Sequence, residues 1–138
     1  MSNREPAWRS WVRKAESDRL NIANNMAAGR VPWDTVCFHA QQAAEKYLKG
    51  YLVWRDETPL RTHDLVALLA ACADADPSLA SLEEDCRALT YHAVGSRYPE
   101  ETFSPGEGDA RRMVAASDRV CEAIGRRLPQ GLFGDASG

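Results

Sequence analysis

Apolar residues recur at intervals of three or four positions along most of this chain of 138 residues. The first such segment carries Trp8, Trp11, Val12, Ala15 and Ile22. This spacing places side chains on one face of an α-helix, whereas a half-buried β-strand requires strict alternation. No stretch of appreciable length alternates in that way. The pattern therefore predicts an all-α fold, and the length fits one domain with a single core.

Five amphipathic segments are separated by residues that stop or cap helices. The predicted helices run from Pro6 to Ala28, from Trp33 to about Arg55, from a Thr62 cap through Cys72, from an Asp76 cap to about Gly95, and from a Ser104–Glu107 capping box to about Leu128. Their short connections imply a five-helix antiparallel up-and-down bundle. We expect the helical domain to occupy residues 1–128 and residues 129–138 to form a flexible C-terminal tail.

Composition narrows the class of protein. The net charge of -3 gives no overall electrostatic reason for nucleic-acid binding. The four cysteines form no C-x-x-C pair and lie among apolar positions, as expected for buried, reduced thiols in a cytoplasmic protein. No segment approaches the ~20 apolar residues of a membrane span. We expect no metal site, no cofactor and no membrane association.

The basic residues are unevenly divided between arginine and lysine. Of the 17 basic residues, only Lys14, Lys46 and Lys49 are lysines. Arginine suits bidentate phosphate contacts, although a GC-rich genome gives the same bias.

The second predicted helix has an unusual mixture of small and polar residues. Its central sequence, FHAQQAAEKYLK, covers positions 38–49. The alanines allow another helix to approach closely, either within the bundle or from a second subunit. His39, Gln42, Lys46 and Lys49 fall on a polar stripe. That stripe either lines a cleft or subunit interface, or is a solvated helix face.

This block, together with the sequences RTHDL at 61–65 and RYP at 97–99, resembles the HEPN domain. HEPN domains are a small all-helical family associated with nucleotide binding and RNA cleavage. The resemblance covers roughly residues 8–128. It implies a homodimer whose paired bundles form a cleft, and a minimal nucleotidyltransferase partner that acts as antitoxin to a HEPN toxin.

Arg87 and His92 fit R-x4-H, and R-x4-6-H is the catalytic signature of ribonucleases that resemble HEPN proteins. Histidine can transfer the proton between the ribose 2′-hydroxyl and the leaving oxygen, while arginine can neutralise charge at phosphorus. Five helical positions turn by about 500°, so the side chains diverge by about 140° and meet most easily at a helix end or across a dimer axis. The alternative is a chance match in an arginine-rich chain. The best-defined toxin branch has R-x4-H-x-Y, and Val94 occupies the tyrosine position here.

Two further positions have open alternatives. Arg97 and Tyr98 follow the fourth predicted helix, where Arg97 either adds a cation beside a bound phosphate or pairs with an acid while Tyr98 packs on the bundle. His63, at the start of the third helix, either helps to hold a phosphate or forms a local hydrogen bond while Thr62 and Asp64 cap the helix.

Two functions from different classes follow. The first is a metal-independent endoribonuclease toxin of a HEPN/nucleotidyltransferase pair, with Arg87 and His92 as catalysts. The second is a non-catalytic HEPN dimer that binds RNA or a nucleotide, and holds a nucleotide or nucleic-acid end for a partner nucleotidyltransferase. Its candidate binding residues are Arg97, Tyr98, His63, His39 and Lys46.

Overall fold

A computed structural model describes residues 5–95 and 105–129, and of residues 91–95 it describes the backbone alone. Within these ranges the chain forms five α-helices and no strand: α1 (Ala7–Met26), α2 (Trp33–Trp54), α3 (Leu65–Ala75), α4 (Glu83–Gly95) and α5 (Glu107–Arg127). A 3-10 helix, Pro77–Leu82, joins α3 to α4. The predicted all-α, five-helix antiparallel bundle is confirmed. The predicted tail lies outside the described residues from position 130 onward.

The third helix begins as predicted, but a different residue caps it. The Asp64 carboxylate accepts hydrogen bonds from the backbone N–H groups of Val66 and Ala67, at 3.0 and 3.3 Å. The Thr62 hydroxyl instead accepts from the backbone N–H of Asp64 at 3.0 Å. The prediction of a Thr62 cap was therefore wrong by two positions, because both residues have side chains that can accept from a backbone N–H.

The fourth predicted segment contains two kinds of helix. Asp76 caps it as predicted, since its carboxylate accepts from the backbone N–H of Ser78 at 3.1 Å. The first six residues, however, form the 3-10 helix, in which side chains three positions apart lie above one another. This geometry points both Leu79 and Leu82 into the core, and α4 then starts at Glu83.

The fifth helix begins slightly later than predicted. Ser104 lies outside the described residues, and the residue preceding the helix is Gly106. The Asp109 carboxylate accepts from the Gly106 backbone N–H at 3.2 Å, so Glu107 is the first helical residue rather than the third. The sequence fits two starting points for this helix, because Glu107 lies three residues after Ser104 and Asp109 lies three residues after Gly106.

The second helix is the centre of the bundle, because it contacts each of the other four α-helices. Its alanines and Gly50 allow this enclosure. A Cβ at Gly50 would lie only 3.2 Å from the Cβ of Trp11 in α1. On the opposite side, the Ser117 hydroxyl of α5 donates a 2.6 Å hydrogen bond to the carbonyl of Ala40. The close approach expected of the alanine-rich block thus occurs within the bundle. No helix in the described ranges is both long and apolar enough to span a membrane.

Candidate functional site

One row of side chains in the middle of α2 reaches the solvent. Between positions 38 and 49 of this helix, all residues are buried except Phe38, His39, Gln42, Lys46 and Lys49. These five residues, which we call the α2 strip, follow one another at steps of one, three or four positions, so they share one side of the helix. Phe38 is the most open, with 55% of its surface exposed, while the two lysines are half-buried. Between positions 38 and 49, the strip is the part of this central helix that a ligand can reach.

A buried carboxylate from α1 supports one edge of the strip. Asp18 is only 6% exposed. One carboxylate oxygen contacts Nδ1 of His39 at 2.8 Å, and the other accepts from Nζ of Lys46 at 2.6 Å. A buried carboxylate is costly unless it is paired and hydrogen-bonded. Asp18 therefore holds His39 and Lys46 in fixed positions beside each other.

A second buried carboxylate supports the other edge. Glu45 is 4% exposed and contacts Nδ1 of His63, from the loop before α3, at 2.8 Å. It also accepts from Gln41 at 2.9 Å and from Nζ of Lys49 at 3.0 Å. Burial raises the pKa of the Glu45 carboxyl group, but the hydrogen bonds from His63, Gln41 and Lys49 outweigh burial and hold the pKa below its ordinary value. Glu45 is consequently ionised at neutral pH and positions a second histidine and a second lysine.

The two histidines contact their carboxylates through the same nitrogen. In both rings Nδ1 faces a carboxylate, and a carboxylate can only accept, so Nδ1 is the donor. No hydrogen bond from a described residue reaches Nε2 of either ring. A neutral imidazole held in this way offers Nε2 as an acceptor, and a protonated one offers it as a donor to an anion.

The charges of this cluster are nearly balanced. Asp18 and Glu45 carry two negative charges, and Lys46 and Lys49 carry two positive charges. The two lysines therefore offset the charges of the two carboxylates, which limits the net repulsion that an anion meets at the site.

All three lysines of the chain lie on or beside the α2 strip. Lys46 and Lys49 belong to it, and Nζ of Lys49 lies 5.7 Å from the ring centre of Trp11 in α1. Lys14 follows Trp11 by three positions and precedes Asp18 by four, so it shares the edge of α1 that borders the strip. The arginine bias of the chain thus does not extend to this surface.

The predicted catalytic pair belongs to a different helix. Arg87 lies on α4, where its side chain is 65% exposed and its guanidinium donates to Glu83 at 3.1 Å. The backbone of His92 continues the same helix, but its side chain lies outside the described residues. Five helical positions separate the two by about 140°, so the helix of one bundle does not bring them together. Arg97 and Tyr98 also lie outside the described residues.

The last turns of α4 nevertheless lie close to the loop that carries His63. The Thr90 hydroxyl accepts from the backbone N–H of Leu65 at 2.7 Å. Leu65 follows His63 by two residues, so this contact places the loop of His63 beside the last turns of α4. The helix that carries Arg87 and His92 therefore borders the edge of the site that holds His63.

Sequence reasoning missed the two carboxylates that organise the site. Asp18 occupies a core position of α1, three residues after Ala15 and four before Ile22, and both of these are buried. Glu45 lies in the alanine-rich block, one turn from both Gln41 and Lys49. A carboxylate within an apolar stripe is the signal that could have identified Asp18, since such groups are rarely buried without a partner.

A separate cavity lies between the 3-10 helix and α5. It has a volume of about 260 Å³ and arginines line it. Two of them already serve ion pairs: Arg119 donates to both oxygens of Asp85, and Arg127 donates to Asp76. The cavity therefore offers less cationic character than its lining suggests. In the part of the chain that the structure describes, no group of three or more histidine, cysteine or acidic residues is placed to hold a metal ion.

Comparison with known proteins gives a consistent family and fold. The sequence matches the model of the HEPN domain family over residues 8–128. The crystal structure of TT1696 from Thermus thermophilus is similar, with a TM-score of 0.78 and 22% identity over 90% of this chain and 100% of that one. The crystal structure of ST0689, an archaeal HEPN homologue, gives a TM-score of 0.68 and 23% identity over 88% of this chain and 98% of that one. Among curated proteins, none matches this chain.

Proposed function

The chain belongs to the HEPN domain family, and we propose that it is a binding module that holds a nucleotide or nucleic-acid end for a partner nucleotidyltransferase. The ligand lies on the α2 strip. One observation carries the proposal: two buried carboxylates fix His39, Lys46 and Lys49 along one row of α2, and one of them also fixes His63 of the loop before α3 beside that row. These residues include His39, Lys46 and His63, which the sequence suggested for this role.

The chemistry of the strip fits a phosphate-bearing ligand. Ammonium groups and protonated imidazoles donate charge-assisted hydrogen bonds to phosphate oxygens. Asp18 and Glu45 hold these donors in place before a ligand arrives, so less conformational entropy is lost on binding. The carboxylates themselves are buried beneath the donors and neutralised by them, which limits their repulsion of an anion.

Binding of ATP and of a short fluorescent single-stranded RNA tests this proposal, by calorimetry and by fluorescence anisotropy. Lys46→Gln should weaken binding by about tenfold, the value of one charge-assisted hydrogen bond. With the RNA, the logarithm of the association constant should also fall less steeply with the logarithm of the salt concentration. The magnitude of that slope should decrease by about 0.7, the effect of one lost phosphate contact on a single strand. Arg112→Gln is the matched control, because it removes the same charge from the exposed surface of α5.

The outcomes separate a specific site from general attraction. If Lys46→Gln and Arg112→Gln weaken binding equally, the ligand is attracted by net charge alone. Absence of binding to both ligands by the wild-type protein would refute the proposal. Thermal unfolding of each variant shows whether the fold remains stable when Asp18 loses its lysine partner.

A second candidate is the metal-independent ribonuclease toxin with Arg87 and His92 as catalysts. The observation that favours it is the exposure of Arg87, whose ion pair with Glu83 lies at the surface and can be exchanged for a phosphate. Because the two side chains diverge on one helix, this function needs them to meet either across the axis of a homodimer or at the helix end. Cleavage of single-stranded RNA in EDTA should then fall by at least ~10²-fold in His92→Ala, the usual contribution of general acid–base catalysis. Cleavage that survives this change would exclude His92 as the catalyst.

A further inference from the structure

The α2 strip ends in an exposed aromatic ring. Phe38 is one of three large apolar side chains that are exposed in the described part of the chain, together with Leu20 and Leu60. Leu20 follows Asp18 by two positions, about 200° around α1, so it faces away from the strip. Leu60 lies in the loop that carries His63. Of these three side chains, Phe38 is the one that lies on the α2 strip itself.

The Phe38 ring is held by the same network as the cations. Its centroid lies 5.3 Å from that of the His39 ring, and the two planes are inclined by 77°. His39 is in turn held by the buried carboxylate of Asp18. Rings in edge-to-face contact attract each other beyond the area that they bury. Phe38 therefore has a favourable contact with the site while 55% of its surface remains open to solvent.

The charges along α2 define a direction. Lys46 and Lys49 lie beyond Phe38 toward the C-terminal end of the helix, whereas the exposed Asp34 lies one turn before it. A phosphate is attracted to the lysine end and repelled from the Asp34 end. The helix rise places the Cα atoms of Phe38 and Lys46 about 12 Å apart. The strip thus combines an aromatic surface at one end with cations at the other.

We propose that Phe38 is a stacking platform for an unpaired base of a single-stranded oligonucleotide, whose phosphates continue along the α2 strip to Lys46 and Lys49. This assignment rests on the proposed binding function and specifies its ligand class. Aromatic side chains beside a cationic groove are the usual means of binding single strands, because every base has a face that can stack. A base within a duplex has its faces covered by its neighbours and cannot use the platform.

Two oligonucleotides of equal length and charge test the platform: a single-stranded RNA octamer and an abasic octamer with the same number of phosphates. The wild-type protein should bind the RNA at least about fivefold more tightly than the abasic strand, as expected for one stacked base. Phe38→Leu should remove this preference by weakening RNA binding while leaving abasic binding unchanged. Phe38→Trp should restore it. Leu20→Ala, which removes exposed apolar surface from the other side of α1, should change neither affinity.

The outcomes distinguish the platform from the binding function on which it rests. If Lys46→Gln weakens both strands but Phe38→Leu changes neither, the cationic site stands and the platform is refuted. Equal weakening of both strands in Phe38→Leu also refutes it, because the abasic strand has no base to stack. If the wild-type protein binds a duplex as tightly as the single strand, an unpaired base is not the ligand. If it binds no strand at all, both proposals fail.

Discussion

The substitution Glu45→Gln tests whether the buried carboxylate organises the site. The carboxylate accepts from Gln41, Lys49 and His63, and it is almost completely buried. A glutamine keeps the shape but removes the charge and turns one acceptor into a donor. Removal of one partner from a buried ion pair costs about 3–5 kcal/mol. Because the His63 side chain is 58% exposed and water can reach its ring, we expect the lower end, about 3 kcal/mol.

This value translates into a large change in melting temperature. An unfolding entropy of about 2.1 cal/mol/K per residue gives this chain about 0.3 kcal/mol per kelvin, so Glu45→Gln should lower Tm by about 10 °C. Glu83→Gln is the matched control, since it removes an exposed carboxylate that also pairs with a residue four positions away. An exposed pair contributes about 0.5 kcal/mol, so the control should shift Tm by less than about 2 °C.

The effect of Glu45 should also depend on pH. Its pKa in the folded protein lies below the ordinary value of 4.5, so the ionised group stabilises the fold above about pH 4.5. This stabilisation is lost as the pH falls through the folded-state pKa. The Tm difference between wild type and Glu45→Gln, measured by circular dichroism, should therefore be largest near pH 7 and shrink toward pH 3. This account would be contradicted if Glu45→Gln lowers Tm no more than Glu83→Gln does, or if the decrease in Tm does not depend on pH.

Three further predictions concern the fold and its assembly. Gly50→Ala should lower Tm, because the new Cβ would lie 3.2 Å from Trp11 Cβ and 3.3 Å from the Trp8 carbonyl, whereas Gly29→Ala, with open space around it, should not. The cysteines of the native protein should not react with a thiol reagent until the protein unfolds. Burial raises the pKa of the Cys37 thiol to about 11 and those of the other three thiols to about 12. Rapid labelling of the native protein would contradict this. Light scattering should give a dimer of about twice 15.3 kDa, and a monomeric mass would remove the mechanism that joins Arg87 and His92 across two copies.

The sequence was sufficient for the helices because their signals are local. Pro6 and Pro32 directly precede α1 and α2, and the apolar spacing gave the extent of both within two residues. The exceptions are caps with competing side chains, such as Thr62 and Asp64, and a 3-10 segment whose leucines also fit an α-helix. Such choices depend on small differences in local hydrogen bonding that spacing does not reveal.

The site was predictable only in its cations. His39, Lys46 and His63 were recognisable as polar residues in an unusual context, but their partners come from distant parts of the chain. Asp18 reaches His39 across 21 positions and Lys46 across 28, so the contact depends on how α1 and α2 are aligned. A glutamate is typical of a solvent-exposed helix face, so its sequence context does not predict burial. Glu45 is buried because the other helices enclose α2.

The two buried carboxylates are better explained by positioning than by stability. Well-packed apolar residues of similar volume often stabilise a fold as much as a buried ion pair or more, so stability alone would not retain the pair. Here the same arrangement of histidine, carboxylate and lysine occurs twice, and the two copies are built from different elements. Asp18 reaches the strip from α1, whereas Glu45 lies in α2 itself and recruits His63 from a loop. Both copies fix their histidine and lysine on the α2 strip or beside it, as expected if that surface binds an anion. Arg87, by contrast, has an exposed partner one turn away, and such a pair fixes its guanidinium far less firmly.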